Sequence, residues 1–245
     1  MAASPPPSDA VRDEWLRRVQ AEYTSAAITQ HLGLWLIQIG ASPDLIKASL
    51  RIVTDEVEHA RLSHVAYVRA GGAASPGLAQ ERLSLRRTPG STLEGDVARV
   101  ALQAFCLGET VAVPLFKRLR DGCTVPVARR VLDRVLRDEV RHRDFGWLLL
   151  DWLLQQPYAP AVRTVAEAEL PGMFRRLADM YGYFEAPTGD HLSPPERAWG
   201  LMKVTEYGAI VKRTFARDWR PRFTKRGIDA DAAWGKGLSA APVSA

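Results

Sequence analysis

The feature of this sequence that most constrains its fold is a charged motif that occurs twice within long helical segments. The segments DEVEH (55–59) and DEVRH (138–142) each contain an Asp, a Glu and a His in the same order. Because Glu and His stand three residues apart, both side chains of each pair project from one face of a helix. The flanking apolar residues repeat with the helical period, so the two pairs are expected to face the protein interior.

The rest of the chain also has the pattern of helices. No stretch of alternating apolar and polar residues bounded by hairpin turns occurs, so a sheet is not expected. Capping residues, Gly and Pro divide the chain into six predicted helices, over about 8–40, 42–71, 91–121, 124–156, 159–182 and 193–219. The sequence therefore predicts an all-α protein.

We expect one domain over residues 1–245. Its core is predicted to run over about 8–156, with a helical extension over about 159–220 and a disordered tail over about 228–245. A polar stretch rich in Gly, Pro, Ser and Arg, ending near Gly90, makes a long crossover between the second and third helices.

Composition limits the class of protein. At 47% apolar and 25% charged residues, the 245-residue chain has the composition of a globular protein. Two cysteines cannot supply a four-cysteine metal site, and the net charge of +5 is spread along the chain, which does not favour a nucleic-acid partner. We see no secretory signal pattern and no run of about 18 uncharged apolar residues. A cytoplasmic protein with no membrane partner is expected.

Two further carboxylates lie on apolar or small faces of predicted helices. Glu22 lies in the first helix and Glu109 in the third. A buried, uncompensated carboxylate is costly, whereas carboxylates and imidazoles around divalent cations compensate one another. Dinuclear carboxylate bundles have this ligand order: two helices each contribute one Glu, and the other two helices each contribute a Glu-x-x-His pair.

On these residues the chain resembles the ferritin-like superfamily of di-iron carboxylate proteins. DEVRH is similar to the (D/E)-E-x-R-H form of the oxygen-activating branch, whereas DEVEH has Glu58 where Arg is usual. The resemblance covers about residues 8–156 and implies a ferritin-like four-helix bundle there, which the two predicted C-terminal helices follow. It further implies that Asp55 and Asp138 hydrogen-bond the ligand histidines. The implied ligands, which are also the catalytic residues, are Glu22, Glu56, His59, Glu109, Glu139 and His142.

The activity implied by the resemblance is that of an O2-activating non-haem di-iron oxygenase or oxidase. Hydroxylation, N-oxygenation and desaturation remain open, on a small or carrier-protein-bound organic metabolite. The implied cofactors are two iron ions, with manganese as an option because the same ligands suit both metals. O2 is the co-substrate, an external protein donates electrons, and the chain is expected to form a homodimer.

Two other activities remain as alternatives. The same six ligands serve a ferritin-like ferroxidase or iron-binding protein, or a dimanganese catalase or peroxidase. Storage subunits need little beyond four helices and a short fifth, whereas this chain continues for two predicted helices beyond Gln156, which favours an oxygenase. Arylamine N-oxygenases of the superfamily add a histidine one turn before the second motif, where this chain has Val135.

Overall fold

The computed structural model describes residues 7–185 and 191–239, and within these ranges the chain is helical and contains no strand. The all-α prediction is therefore confirmed for the described part of the chain. The helices are α1 (Asp9–Gln38), α2 (Pro43–Arg69), α3 (Leu93–Val100), α4 (Thr110–Gly122), α5 (Pro126–Leu154), α6 (Ala159–Met180), α7 (Pro194–Ala198), α8 (Val204–Thr214), α9 (Arg220–Thr224) and α10 (Ala230–Ser239).

Three helical segments of the described residues are not α-helical. The π-helical segments Ala101–Glu109 and Phe215–Trp219 join α3 to α4 and α8 to α9 without a break in the helix. A short 3-10 turn, Gln80–Arg82, lies in the long connection after α2. Single π-turns inserted in helices are often found at functional sites.

Local cap chemistry explains where α1 and α2 meet. Gly40 adopts a φ of 71°, a left-handed conformation that a residue with a side chain rarely takes, and it ends α1. The side chain of Ser42 accepts a hydrogen bond from the backbone N–H of Leu45, and Pro43 occupies the first helical position. The observed ends agree with the predicted helix ranges of about 8–40 and 42–71.

The C-terminal region contains more helices than the two predicted. The capping box of Ser193 and Glu196 is present, but its helix ends at Ala198 and the chain then passes through Gly200 at a φ of 83°. Because this left-handed turn breaks the predicted helix, α7 and α8 are separate elements.

The predicted disordered tail is wrong for residues 230–239, which form α10. Asp229 caps this helix by accepting a hydrogen bond from the backbone N–H of Ala232 at 2.9 Å. Gly237 packs so closely on α6 that an added Cβ would lie 2.4 Å from the carbonyl oxygen of Pro171. Of the other residues of the predicted tail, 228 and 229 are described and directly precede α10, and 240–245 lie outside the described ranges.

The chain divides into two compact units. Unit 1 takes residues 7–86, 116–138 and 191–203 of the described chain, and unit 2 takes 87–115, 139–185 and 204–239. The division falls within α4 and within α5, where it separates Asp138 from Glu139. The prediction of a single domain stays a prediction.

In unit 1, α1 and α2 pack against each other. The fully buried indole of Trp15 donates to the carbonyl of Trp199 at 3.2 Å, and Arg18 donates to the carbonyl of Gly200 at 2.8 Å. These two bonds fasten the segment after α7 to the N-terminal half of α1.

In unit 2, a cluster of aromatic side chains forms part of the core. The ring of Phe174 on α6 contacts those of Phe215, Trp219, Phe223 and Trp234 at centroid distances of 5.2 to 6.3 Å. Helix α6 also packs against α3 and the first π segment, so the C-terminal helices are built onto the segment that ends at Glu109.

Among the described residues, one helical stretch, Leu93–Gly122, is long and apolar enough to cross a membrane by length and composition alone. The most apolar window of this stretch is 44% buried within the protein, and core helices of soluble proteins pass the same test.

Candidate metal centre

Three predicted ligands meet in unit 1. Glu22 lies on α1, and Glu56 and His59 lie one turn apart on α2. Each is buried, and each offers one oxygen or nitrogen atom within 4.8 Å of the others. We call Glu22, Glu56 and His59 the first triad. The helical period explains this convergence, because positions 56 and 59 share the face of α2 that packs on α1.

The imidazole of His59 is held at both nitrogens. Its Nδ1 lies 3.3 Å from Glu56 Oε2 and 3.8 Å from Glu22 Oε2. Its Nε2 lies 3.2 Å from Oδ2 of Asp138, a fully buried carboxylate on α5. The hydroxyl of Ser25 donates to Glu56 Oε1 at 2.9 Å. Nδ1 therefore faces the two carboxylates, and Nε2 faces away from them.

The first triad carries a charge that protons compensate. Burial raises the pKa of Glu22 to about 8, and the negative charge of Glu56 adds to the rise. Burial alone lowers the pKa of His59, but hydrogen bonds to Glu22 and Glu56 outweigh it and raise the pKa to about 10. Both shifts favour bound protons in the triad, whereas a divalent cation supplies the same compensation once the ligands are deprotonated.

The guanidinium of Arg134 contacts Asp138, the carboxylate that faces Nε2 of His59. Arg134 Nε donates to Asp138 Oδ2, and Arg134 Nη2 donates to Oδ1 of Asp55 at 3.4 Å. Arg137 Nε adds a bond to Asp138 Oδ1 at 3.3 Å. The two aspartates that precede the Glu-x-x-His pairs are thus joined by one arginine within unit 1.

Three predicted ligands also meet in unit 2. Glu109 ends the first π segment, and Glu139 and His142 lie one turn apart on α5. Each offers one ligand atom within 4.8 Å of the others, and His142 Nδ1 lies 3.8 Å from Glu139 Oε2. Glu139 and His142 are buried, whereas Glu109 is half-buried. We call Glu109, Glu139 and His142 the second triad.

The π segment that ends at Glu109 packs closely against α5. A Cβ added at Gly146 of α5 would lie 2.5 Å from Phe105 Cβ, so α5 and the π segment approach as closely as two backbones can. The thiol of Cys106 donates to the carbonyl of Gly146 at 3.4 Å, and burial raises the pKa of this thiol. Cys106 is therefore a small buried packing residue in this segment.

The donor set fits a first-row transition metal. Each triad presents two carboxylates and one imidazole, which suit iron, manganese and zinc, whereas calcium and magnesium prefer oxygen ligands alone. Burial of at least two of three donors in each triad explains why a cation is favoured there.

Sequence reasoning missed two features of the centre, Ser25 and Arg134, and left a third, the π segment, open between a widened helix and a simple bend. Ser25 follows Glu22 by three residues and Arg134 precedes Asp138 by four, so helical spacing could have indicated both. The π segment has one sequence signal, Pro114, which lacks the N–H that would bond one turn back into the helix.

A comparison with protein-family models and with curated proteins finds no match for this chain. The description of the centre therefore rests on its own residues.

Proposed function

We propose that this chain is a member of the ferritin-like superfamily and an O2-activating non-haem di-iron oxygenase or oxidase. The observation that carries the proposal is the repeated donor set, in which two helical triads each contain two carboxylates and one imidazole from Glu and Glu-x-x-His. The first triad would hold one metal ion and the second triad the other. The dinuclear arrangement itself rests on the ligand order of the sequence.

A bound ferrous pair would supply two of the four electrons that reduce O2, the organic substrate would supply the other two, and the external electron donor would restore the ferrous state. The chain's own residues prepare the ligands. Asp138 accepts the Nε2–H of His59, which leaves the lone pair of Nδ1 for a cation beside Glu22 and Glu56. Ser25 holds one oxygen of Glu56 and so limits the directions in which that carboxylate can point.

A buried apolar residue lies one turn beyond one ligand of each triad. Ala26 lies one turn beyond Glu22 on α1, and Phe145 lies one turn beyond His142 on α5; both are buried. A low local dielectric strengthens the attraction between ligands and cation.

The helices beyond α5 favour an oxygenase over iron storage. Helix α6 packs against the π segment Ala101–Glu109. The helices after α5 therefore contact the segment that contributes the ligand Glu109. We propose a small or carrier-protein-bound organic metabolite as substrate, an external electron-transfer protein as partner, and a homodimer as the assembly.

Anaerobic iron loading followed by O2 tests the proposal. We would add two Fe(II) per chain to apo-protein, admit O2, and measure O2 consumed, iron retained and particle size. An oxygenase retains two irons in a small oligomer and consumes O2 faster when one member of a metabolite and acyl-carrier panel is added with reductant. Uptake of tens of irons by a cage-sized particle would select iron storage. O2 evolution from peroxide, best with manganese, would select a catalase.

A further inference from the structure

Arg134 lies one turn before Asp138 on α5 and bonds two carboxylates at once. Its Nε donates to Asp138 Oδ2, and its Nη2 donates to Oδ1 of Asp55 on α2 at 3.4 Å. The guanidinium is planar with a fixed fork of donors, so it can fix the relative positions of two carboxylates. Arg134 therefore links α5, which carries Asp138, to α2, which carries Asp55.

The same oxygen of Asp138 faces both the guanidinium and the imidazole. Asp138 Oδ2 lies 3.2 Å from Nε2 of His59, and the Asp138 side chain is fully buried. Arg134 is 34% exposed and reaches the imidazole only through Asp138. Because a buried carboxylate needs a fixed and compensated environment, the position of Asp138 depends on the arginine.

On the basis of the metal-binding function proposed above, we infer that Arg134 is a positioning residue for His59. It orients Asp138 so that the carboxylate accepts the Nε2–H, which keeps Nδ1 directed toward Glu22 and Glu56. Outer hydrogen-bond partners of a metal-bound histidine change metal affinity by about 10- to 100-fold when they are removed. Arg134 is therefore expected to affect the affinity of the first triad more than that of the second.

The chain offers a matched control. Arg51 stands four residues before Asp55 on α2, as Arg134 stands four before Asp138 on α5. Arg51 is exposed at the surface of its helix. Sequence spacing alone makes the two arginines equivalent, whereas the structure assigns a positioning role to Arg134 only.

Cobalt binding tests the inference without any turnover. We would titrate apo-protein with Co(II), record its visible ligand-field bands, and obtain the affinities by competition with a chelator. Arg134→Ala is expected to lower the affinity of one of two Co(II) ions by about 10- to 100-fold. Arg51→Ala is expected to match the wild type. Arg134→Lys, which keeps the charge but not the planar fork, is expected to recover part of the loss.

The outcomes separate this inference from the proposed function. Wild-type protein that binds fewer than two Co(II) would contradict the dinuclear function itself. Two ions bound by the wild type, with unchanged affinities in Arg134→Ala, would overturn the positioning role alone. An equal loss for both ions would also overturn it, since a general loss of structure affects both triads. If the alanine variant does not fold, Arg134→Gln, which keeps one donor for Asp138, is measured in its place.

Discussion

The indole Nε1 of Trp219 donates a hydrogen bond to the backbone carbonyl of Cys106 at 3.0 Å. Both residues lie in π-helical segments, Phe215–Trp219 and Ala101–Glu109, and both side chains are buried. The C-terminal helices thus supply a hydrogen-bond donor to the backbone of the widened segment that ends at the second-triad ligand Glu109.

We expect Trp219→Phe to lower the free energy of unfolding by about 1–3 kcal/mol, because a buried carbonyl loses its indole donor. Urea unfolding, with the slope checked for two-state behaviour, measures the change. Trp234→Phe is the control, since Trp234 belongs to the same aromatic cluster through Phe215 and Phe174. An equal effect in both variants would mean that ring packing, rather than the hydrogen bond to Cys106, provides the stability.

The close approach of α5 to the first π segment predicts a second outcome. In Gly146→Ala the new methyl carbon would lie 2.5 Å from Phe105 Cβ and 2.9 Å from its backbone carbon, so backbone must move. We expect the free energy of unfolding to fall by about 1–3 kcal/mol or more. Gly235→Ala on α10 meets nothing within 4 Å and should be neutral or stabilising by up to about 1 kcal/mol. Comparable losses in the two variants would contradict this packing.

Local chemistry explains what the sequence could predict. The start of α2 was predictable because Ser42 and Pro43 act on their own helix. The two triads were predictable because i, i+3 spacing fixes which side chains of a helix share a face. In both cases the determining residues are neighbours in the chain.

The features that sequence reasoning missed depend on distant residues. The hydrogen bond from Arg134 to Asp55 forms because α5 lies beside α2, and no local sequence pattern indicates that neighbourhood. Helix α10 is short and has a polar face, and it is ordered because Gly237 packs onto Pro171 of α6. The end of the helix before Gly200 had only one sequence signal, which is a glycine within an otherwise helical pattern.

The stability of the apo-protein should fall as pH rises. The pKa of Glu22 is raised to about 8 and that of His59 to about 10, so the folded state binds protons more tightly than the unfolded state. Such groups stabilise the fold fully below their unfolded pKa values, and the stabilisation is lost as pH rises through the folded values. We expect the urea midpoint of apo-protein to decrease from about pH 5 to pH 9.

Metal should reverse this dependence, because a bound cation replaces the protons of Glu22 and His59. Protein loaded with Zn(II) is expected to keep or raise its urea midpoint over the same pH interval and to release protons on binding at pH 7. Calorimetry in buffers of different ionisation enthalpy counts those protons. A metal affinity independent of pH would show that these two groups are not ligands.

The two histidines of the triads should each support one metal ion. His59→Ala and His142→Ala are expected to lower occupancy from about two ions per chain toward one, since each removes the only imidazole of its triad. The helical circular dichroism should remain largely intact. His64→Ala, at an exposed position of α2, is the control. Metal analysis that finds normal occupancy in both triad variants would mean that the ligands are misassigned.

Asp138→Asn tests the bond between α5 and His59. The amide keeps the shape of the side chain but removes the charge that Oδ2 presents to the imidazole Nε2–H and to Arg134. We expect the affinity of the first triad for Co(II) to fall by about 10- to 100-fold. Asp133→Asn on the same helix is the control, because Asp133 is 46% exposed in an ion pair with Arg120 and such surface pairs contribute only about 0–1 kcal/mol.

Chelator competition measures both variants. Because Asn can still accept a hydrogen bond from Nε2, a loss confined to Asp138→Asn would assign the effect to the carboxylate charge, and a wild-type affinity would make the 3.2 Å contact irrelevant to the metal.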